Sequence, residues 1–201
     1  MIAHREQAAY NELMQSATAK IVIFGSSQPQ PGSANYQLAY DIGRLCAEAG
    51  YVVVNGGYGG TMEASARGAK EVGGQTIGVT CDALGRSGPN AWIDREIPSP
   101  DLTVRLQNLI DLGDAYIALP GATGTLLELA MVWELIAKNF LSPRPIIAIT
   151  NYWQGLIDIL VGSGETDGSA VTIVPTPAEA VNLLQSRLSA TKTEKVTSTK
   201  S

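Results

Sequence analysis

The chain has 201 residues, 45% of them hydrophobic, which is enough to build one well-packed domain and too little for two. A formal net charge of −5 and a pI near 4.9 argue against a nucleic acid partner, because duplex binding needs a basic face. No apolar segment reaches membrane-spanning length and the first residues lack the pattern of a secretory leader, so we expect a cytoplasmic protein without a membrane partner.

Six apolar runs alternate with amphipathic, helix-like stretches along the chain. The runs are Lys20–Phe24, Tyr51–Val54, Gln75–Thr80, Ala115–Leu119, Pro145–Thr150 and Val171–Val174. Apolar runs without alternation are typical of parallel strands that are covered on both faces. The order therefore predicts an α/β fold, a single-domain Rossmann-like doubly wound parallel sheet with helices on both faces.

The chain divides into three segments. Residues 1–19 are predicted to be an N-terminal helical extension, residues 20–188 the Rossmann-like nucleotide-binding domain, and residues 189–201 a polar, disordered tail rich in Lys, Thr and Ser. Inside the domain, the stretch from Cys81 to Asp101 is rich in Gly, Pro, Asp and Ser and is too long for an ordinary connection. It forms either a functional lid or irregular packing.

Three loops that each follow a predicted strand and lead into a helix carry the candidate binding residues. In an open parallel sheet such loops meet at the carboxyl edge, where helix N-terminal amides and the helix dipole attract phosphate. The predicted phosphate- or nucleotide-binding residues are Gly25, Ser26, Ser27, Gly57, Gly59, Gly60, Thr61, Pro120, Gly121, Ala122, Thr123, Gly124 and Thr125.

Glycines in such turns also have a purely conformational explanation, because strand-to-helix turns need positive φ angles and close backbone approach. The dinucleotide spacing G-x-G-x-x-G is absent, and no Gly-Lys-Ser/Thr sequence of a P-loop occurs. A bound mononucleotide fits the pattern better than either of these.

Two charged residues are the candidate catalytic groups. Glu128 stands three residues after Thr125, a spacing that favours a helix capping box, although a carboxylate entering a nearly all-apolar helix can also serve as a base. Arg105 falls between Leu109 and Leu112 on the apolar arc of a predicted helix. It either contacts a ligand or carboxylate there, or extends along the edge of the core to water.

The single histidine, His4, precedes every predicted core element. A Ser-His-Asp triad or a multi-histidine metal site is therefore not expected, and no cluster of carboxylates stands out. We predict no metal and no cofactor.

The segment Pro120-Gly121-Ala122-Thr123-Gly124-Thr125-Leu126-Leu127-Glu128, preceded by the helix that carries Arg105, resembles the LOG family of cytokinin riboside 5′-monophosphate phosphoribohydrolases, formerly called lysine-decarboxylase-like. The family motif is P-G-G-x-G-T-x-x-E, and the resemblance extends from about residue 20 to 184. It implies that the glycine turn binds the nucleotide phosphate and that Glu128 and Arg105 serve N-glycosidic cleavage, giving a free base and ribose 5-phosphate.

Two positions depart from that family: Ala122 replaces the second motif glycine, and Leu106 replaces the lysine that follows the family's arginine. The turn Gly56-Gly57-Tyr58-Gly59-Gly60-Thr61 is similar instead to that of the related molybdenum-cofactor carrier proteins, which bind a phosphorylated pterin without cleaving it. A non-catalytic cofactor carrier and a nucleotide sensor are therefore the alternative functions. The apolar helix that follows Glu128 further predicts a homodimer.

Overall fold

The computed structural model describes residues 17–85, 88–164 and 168–198. The β-strands in these residues are β1 Lys20–Phe24, β2 Val52–Asn55, β3 Thr76–Val79, β4 Arg95–Ile97, β5 Ala115–Ala118, β6 Ile146–Ile149 and β7 Val171–Val174. The α-helices are α1 Ala34–Glu48, α2 Thr61–Glu71, α3 Leu102–Leu112, α4 Thr123–Ala137, α5 Gln154–Gly162 and α6 Pro177–Ser198.

All seven strands form one parallel sheet in the order β4-β3-β2-β1-β5-β6-β7. The central strand β1 pairs with β2 on one side, in the register Val22↔Val54, and with β5 on the other, in the register Val22↔Tyr116. The chain builds outward from β1 in one direction and then, from β5, in the other. The predicted α/β fold with a doubly wound parallel sheet is confirmed.

Alternate residues of β1, β2, β5 and β6 contribute to two separate cores, one on each face of the sheet. On one face, Val22 and Phe24 of β1 pack with α3, α4 and α5. On the other, Ile21 and Ile23 pack with α1, α2 and α6. Helices therefore cover both faces, which explains why the strands are apolar at nearly every position.

The strand that the sequence did not predict, β4, lies inside the long stretch between Cys81 and Asp101. It pairs with β3 at the edge of the sheet. Asn90 in the same stretch donates from its amide nitrogen Nδ2 to the carbonyl oxygens of Gly57 (3.0 Å) and Tyr58 (2.8 Å). Asn90 therefore packs this part of the stretch against the β2–α2 turn.

The predicted N-terminal extension, residues 1–19, falls almost entirely outside the described residues. The last helix, α6, continues to Ser198, so it includes most of the segment predicted as a tail from residue 189, and residues 199–201 are not described. Within the described ranges, no helix combines the length and the apolar character needed to cross a bilayer.

Candidate functional site

A cavity of about 240 Å³ lies at the carboxyl ends of four neighbouring strands, in the spatial order β3, β2, β1 and β5. The chain after β1 leads to α1 on one face, whereas the chain after β5 leads to α4 on the other, so a crevice opens between them. The cavity is lined by Gly25, Ser26, Ser27, Gln28, Tyr58, Met62, Leu84, Arg105, Ala122, Gly124, Thr125 and Glu128.

The β5–α4 turn presents a helix N-terminus to this cavity. Helix α4 begins at Thr123 with Ala122 as its N-cap, and no side chain caps it. The first hydrogen bond of the helix runs from the Leu126 N–H to the Ala122 carbonyl (3.0 Å), so the amides of residues 123–125 have no acceptor within the helix. These amides and the helix dipole present partial positive charge at this end of the helix.

The capping box predicted from the Thr125 and Glu128 spacing is wrong. Thr125 is the third residue of α4 rather than its cap, and its side chain is buried. Glu128 consequently stands in the second turn of the helix, where the backbone N–H groups already have helical acceptors. Its carboxylate is left available for contacts across the cavity.

Ala122, which replaces a glycine of the family motif, has φ −102° and ψ −157°. This is extended backbone that any L-residue can adopt. This backbone conformation therefore does not require glycine at position 122.

Glu128 and Arg105 meet at the cavity wall. Oε1 of Glu128 lies 3.6 Å from Nη1 of Arg105, and the two side chains are only 13% and 9% exposed. Burial raises the pKa of Glu128 to about 7, and the Arg105 guanidinium opposes part of that rise. Near neutral pH, Glu128 can therefore both accept and release a proton.

Arg105 is fixed from its other side by backbone carbonyls. Its Nε donates to the Val79 carbonyl at the end of β3 (2.9 Å), and its Nη2 donates to the Gly56 carbonyl at the end of β2 (3.4 Å). The predicted contact between Arg105 and a carboxylate is confirmed, and the alternative in which the side chain extends to water is wrong. Only the Nη1 edge faces Glu128.

The β2–α2 turn behaves differently, because its polar backbone groups are largely bonded within the protein. The Gly57 N–H donates to Oδ1 of Asn55 (2.8 Å), and both the N–H and the hydroxyl of Thr61 donate to the Ser26 carbonyl (2.9 and 3.0 Å). Gly60 has φ +67°, and a Cβ there would lie 2.4 Å from the Ser26 oxygen. This turn joins the loops after β1 and β2.

Of the predicted binding residues, the structure brings to the cavity those of the β1 loop and three of the β5–α4 turn. The predicted residues that do not line it are Gly57, Gly59, Gly60, Thr61, Pro120, Gly121 and Thr123. Four lining residues were not predicted: Gln28, Tyr58, Met62 and Leu84. Tyr58 and Met62 had one usable signal, their position within or beside the glycine run, whereas Leu84 had none.

A fourth loop, between β6 and α5, contacts the β5–α4 turn and was also not predicted. The Trp153 indole Nε1 donates to the Leu119 carbonyl (3.1 Å), and the Tyr152 hydroxyl donates to the Gly121 carbonyl (2.7 Å). These two bonds hold the backbone on both sides of Pro120. The preceding Thr150 has φ +64°, a strained value for a β-branched residue.

A model of the SLOG cluster4 family matches residues 18–181. The chain belongs to this family. Two curated relatives of this SLOG cluster4 protein are named cytokinin riboside 5′-monophosphate phosphoribohydrolase, and the predicted resemblance to LOG proteins is confirmed. The one from Mycobacterium tuberculosis is 36% identical over 99 residues, 48% of this chain and 53% of the relative. The one from Rhodococcoides fascians is 27% identical over 146 residues, 70% of this chain and 73% of the relative.

Solved structures that resemble this SLOG cluster4 protein include the molybdenum cofactor binding protein of Rippkaea orientalis. It has 26% sequence identity and a TM-score of 0.71, with 87% of this chain and 99% of that chain covered. The molybdenum cofactor carrier protein of Chlamydomonas reinhardtii has 22% identity and a TM-score of 0.69, with 86% and 99% covered, and shows a shared fold.

Proposed function

We propose that this protein hydrolyses the N-glycosidic bond of a nucleoside 5′-monophosphate, releasing the free base and ribose 5-phosphate. The observation that carries the proposal is the position of Glu128, a largely buried carboxylate with a pKa of about 7 beside Arg105 and in the same cavity as an uncapped helix N-terminus. The two relatives named phosphoribohydrolases support it.

The helix N-terminus is the part of the site suited to the 5′-phosphate. The unbonded amides of residues 123–125 would donate to phosphate oxygens, and the dipole of α4 favours the negative charge. Ser26 and Ser27 line the same cavity with hydroxyl groups that can donate further hydrogen bonds. A phosphate bound there would direct the ribose toward the second turn of α4, where Glu128 stands.

Breaking the bond from the ribose C1′ to the base nitrogen develops positive charge on C1′ and the ring oxygen. The Glu128 carboxylate would stabilise this charge and accept a proton from the water whose oxygen bonds to C1′. The base leaves with the bonding electrons and takes up a proton, so one water is consumed. Arg105 orients Glu128 through Nη1, and its positive charge favours the ionised form of the Glu128 carboxylate.

The test is release of free base from a panel of nucleoside 5′-monophosphates that includes AMP and N6-substituted AMP. We expect Glu128→Gln to lower kcat at least a thousandfold while nucleotide binding, measured by calorimetry, changes little. Glu134→Gln on the same helix is the matched control, because Glu134 is exposed and lies outside the cavity. Wild-type release that survives Glu128→Gln would contradict the assignment.

The alternative is a non-catalytic carrier of molybdenum cofactor or a nucleotide sensor. The likeness to the Rippkaea orientalis protein favours the carrier, since the same uncapped helix N-terminus would bind the phosphate of a pterin. No release from any nucleotide, with tight binding of a phosphorylated pterin, would replace the hydrolase by the carrier. No release with nucleotide binding alone would favour the sensor.

The exposed side of α4 supports a homodimer. Leu127 is 45% exposed on this helix, and Phe140, just beyond its end, is 81% exposed. A second copy would cover these apolar side chains. We expect light scattering after size-exclusion chromatography to give a dimer mass, and Leu127→Glu to shift the protein to monomer. A monomer mass for the wild type at micromolar concentration would contradict the homodimer. Gln107→Glu is the control, because it introduces a negative charge on a different helix and should leave the dimer intact.

A further inference from the structure

Tyr58 is the aromatic residue in the middle of the glycine turn after β2, and its side chain is nearly fully buried at the cavity wall. Its hydroxyl accepts from the Cys81 N–H (2.8 Å) and donates to the Cys81 carbonyl (3.1 Å). Its own carbonyl accepts from Nδ2 of Asn90 (2.8 Å). Tyr58 is thus fixed at the hydroxyl and at the backbone, and it connects the turn after β2 to the chain after β3.

The ring of Tyr58 lies against the Arg105 guanidinium. Cζ of Arg105 is 5.8 Å from the ring centroid, within the range of a cation–π contact. Such a contact is stronger in a desolvated site, and Arg105 is only 8% exposed. The guanidinium therefore has a neutral aromatic contact in addition to its two carbonyl acceptors and Glu128.

The backbone beside Tyr58 leaves room for this arrangement. A Cβ on Gly56 would lie 1.9 Å from Nη2 of Arg105, so glycine is required for the guanidinium to reach this position. Gly56 therefore leaves space for the Arg105 guanidinium, and the Tyr58 ring packs against it. Both features act on the guanidinium that faces Glu128.

We propose that Tyr58 is a positioning residue that acts through Arg105, fixing the guanidinium so that its Nη1 edge faces Glu128. The ring is the part that matters for this role, and the hydroxyl fixes the ring. The kinetic part of the inference rests on the proposed function, whereas the placement of Arg105 can be measured without turnover.

Two variants separate the ring from the hydroxyl. Tyr58→Phe keeps the ring and loses the bonds to Cys81, and Tyr58→Leu removes the ring. With the best nucleotide substrate, we expect kcat to fall at least tenfold in Tyr58→Leu and less than threefold in Tyr58→Phe, with KM changed less than threefold in both. Circular dichroism and thermal unfolding establish that each variant is folded, and Tyr58→Met replaces Tyr58→Leu if the latter is not.

A second measurement uses the side-chain NMR signal of Arg105 Nε–H, which donates to a buried carbonyl. We expect hydrogen exchange at this group to be slow in the wild type and in Tyr58→Phe, and at least tenfold faster in Tyr58→Leu. Tyr36→Leu is the matched control, because Tyr36 is a buried tyrosine of α1 in the core on the opposite face of the sheet. Its loss should leave the Arg105 signal unchanged.

The two readouts distinguish failure of the inference from failure of the proposed function. Unchanged exchange in Tyr58→Leu overturns the inference whether or not the wild type cleaves nucleotides. Faster exchange in a protein without nucleotide cleavage supports the placement of Arg105 by Tyr58 and contradicts only the hydrolase. If the enzyme is active, Tyr58→Leu is also measured in an Arg105→Met background. A fall in kcat as large there as in the wild type would show that Tyr58 does not act through Arg105 and would overturn the inference.

Discussion

The two glycine turns, after β2 and after β5, look alike in sequence, because each contains Gly-Thr at the start of a helix with a glutamate shortly after it. In the structure, the backbone groups of the two turns are hydrogen-bonded differently. After β2, the Thr61 N–H donates to the Ser26 carbonyl and the Gly57 carbonyl accepts from Asn90, whereas after β5 the amides of Gly124 and Thr125 have no acceptor within their helix. Glycine content predicts a turn, and the backbone hydrogen bonds show which of its amides lack an acceptor in the protein.

The largest difference between the two turns should appear in stability when each glycine is replaced by alanine. Gly60→Ala places a side chain at φ +67° and against the Ser26 carbonyl, so we expect a loss of about 3 kcal/mol in the free energy of unfolding. Gly124→Ala lies in the first turn of α4 with no neighbouring atom within 4 Å of the added Cβ, and should stabilise by about 0.5 kcal/mol. Urea denaturation measures both, and equal effects would remove the distinction between the turns.

A second difference concerns the stability cost of burying the Glu128 carboxylate in α4, the helix that follows the β5–α4 turn. Burial raises the pKa of Glu128 to about 7, so the folded protein binds this proton more tightly than the unfolded chain. The stability from that proton is fully present below about pH 4.5 and is lost as the pH rises to about 7. Glu128→Gln should therefore be more stable than the wild type at pH 8 by about 2 kcal/mol, with a smaller gain at pH 5.

Urea denaturation at both pH values measures this gain. Glu134→Gln, which removes an exposed carboxylate on the same helix, is the matched control at both pH values. A Glu128→Gln variant that is no more stable than the wild type at pH 8 would contradict a destabilising effect of the buried Glu128 carboxylate in the second turn of α4.

The smallest effect is expected when a single backbone N–H is removed at the start of α4. Thr123→Pro removes one N–H at the first helical position, where proline is tolerated, and the extended backbone of Ala122 suits the residue before a proline. We expect stability to change by less than about 0.5 kcal/mol, while affinity for AMP, measured by calorimetry in the Glu128→Gln background, falls about tenfold. Thr123→Ala keeps the N–H and should bind AMP as tightly as the Glu128→Gln protein does. Equal affinity of Thr123→Pro and Thr123→Ala would show that this amide does not bind the phosphate.

The parts of the fold that depend on local apolar pattern were predictable from sequence. Lys20–Phe24 and Val171–Val174 match β1 and β7 at both ends, since buried parallel strands are continuous apolar runs. Strand β4, Arg95–Ile97, was missed because it is short and carries two charged residues, and pairing with β3 defines it. Tertiary pairing of that kind leaves little local signal.

The site was likewise predictable only where a local sequence pattern indicates it. The burial of Arg105 follows from its place on the apolar arc of α3, and the likeness to a known motif identified Glu128. The helix start at Thr123 was not predictable, because the Thr125 and Glu128 spacing also fits an N-cap at Thr125, three residues after the observed N-cap Ala122. The contributions of Tyr58 and Tyr152 depend on contacts with residues 23 and 31 positions away, which no local pattern contains.

The central position of β1 has a consequence for synthesis of the chain. Its partner β5 pairs Ala115 with Ile21, so a ribosome that adds about 5 to 20 residues per second exposes one apolar edge of β1 for about 5 to 20 seconds before β5 emerges. During that interval β1 to β4 can already assemble as neighbours, with Ile21 to Phe24 at an open edge. The time of greatest exposure to aggregation, and to chaperones, is therefore set by the distance along the chain between the two strands whose ends form the crevice.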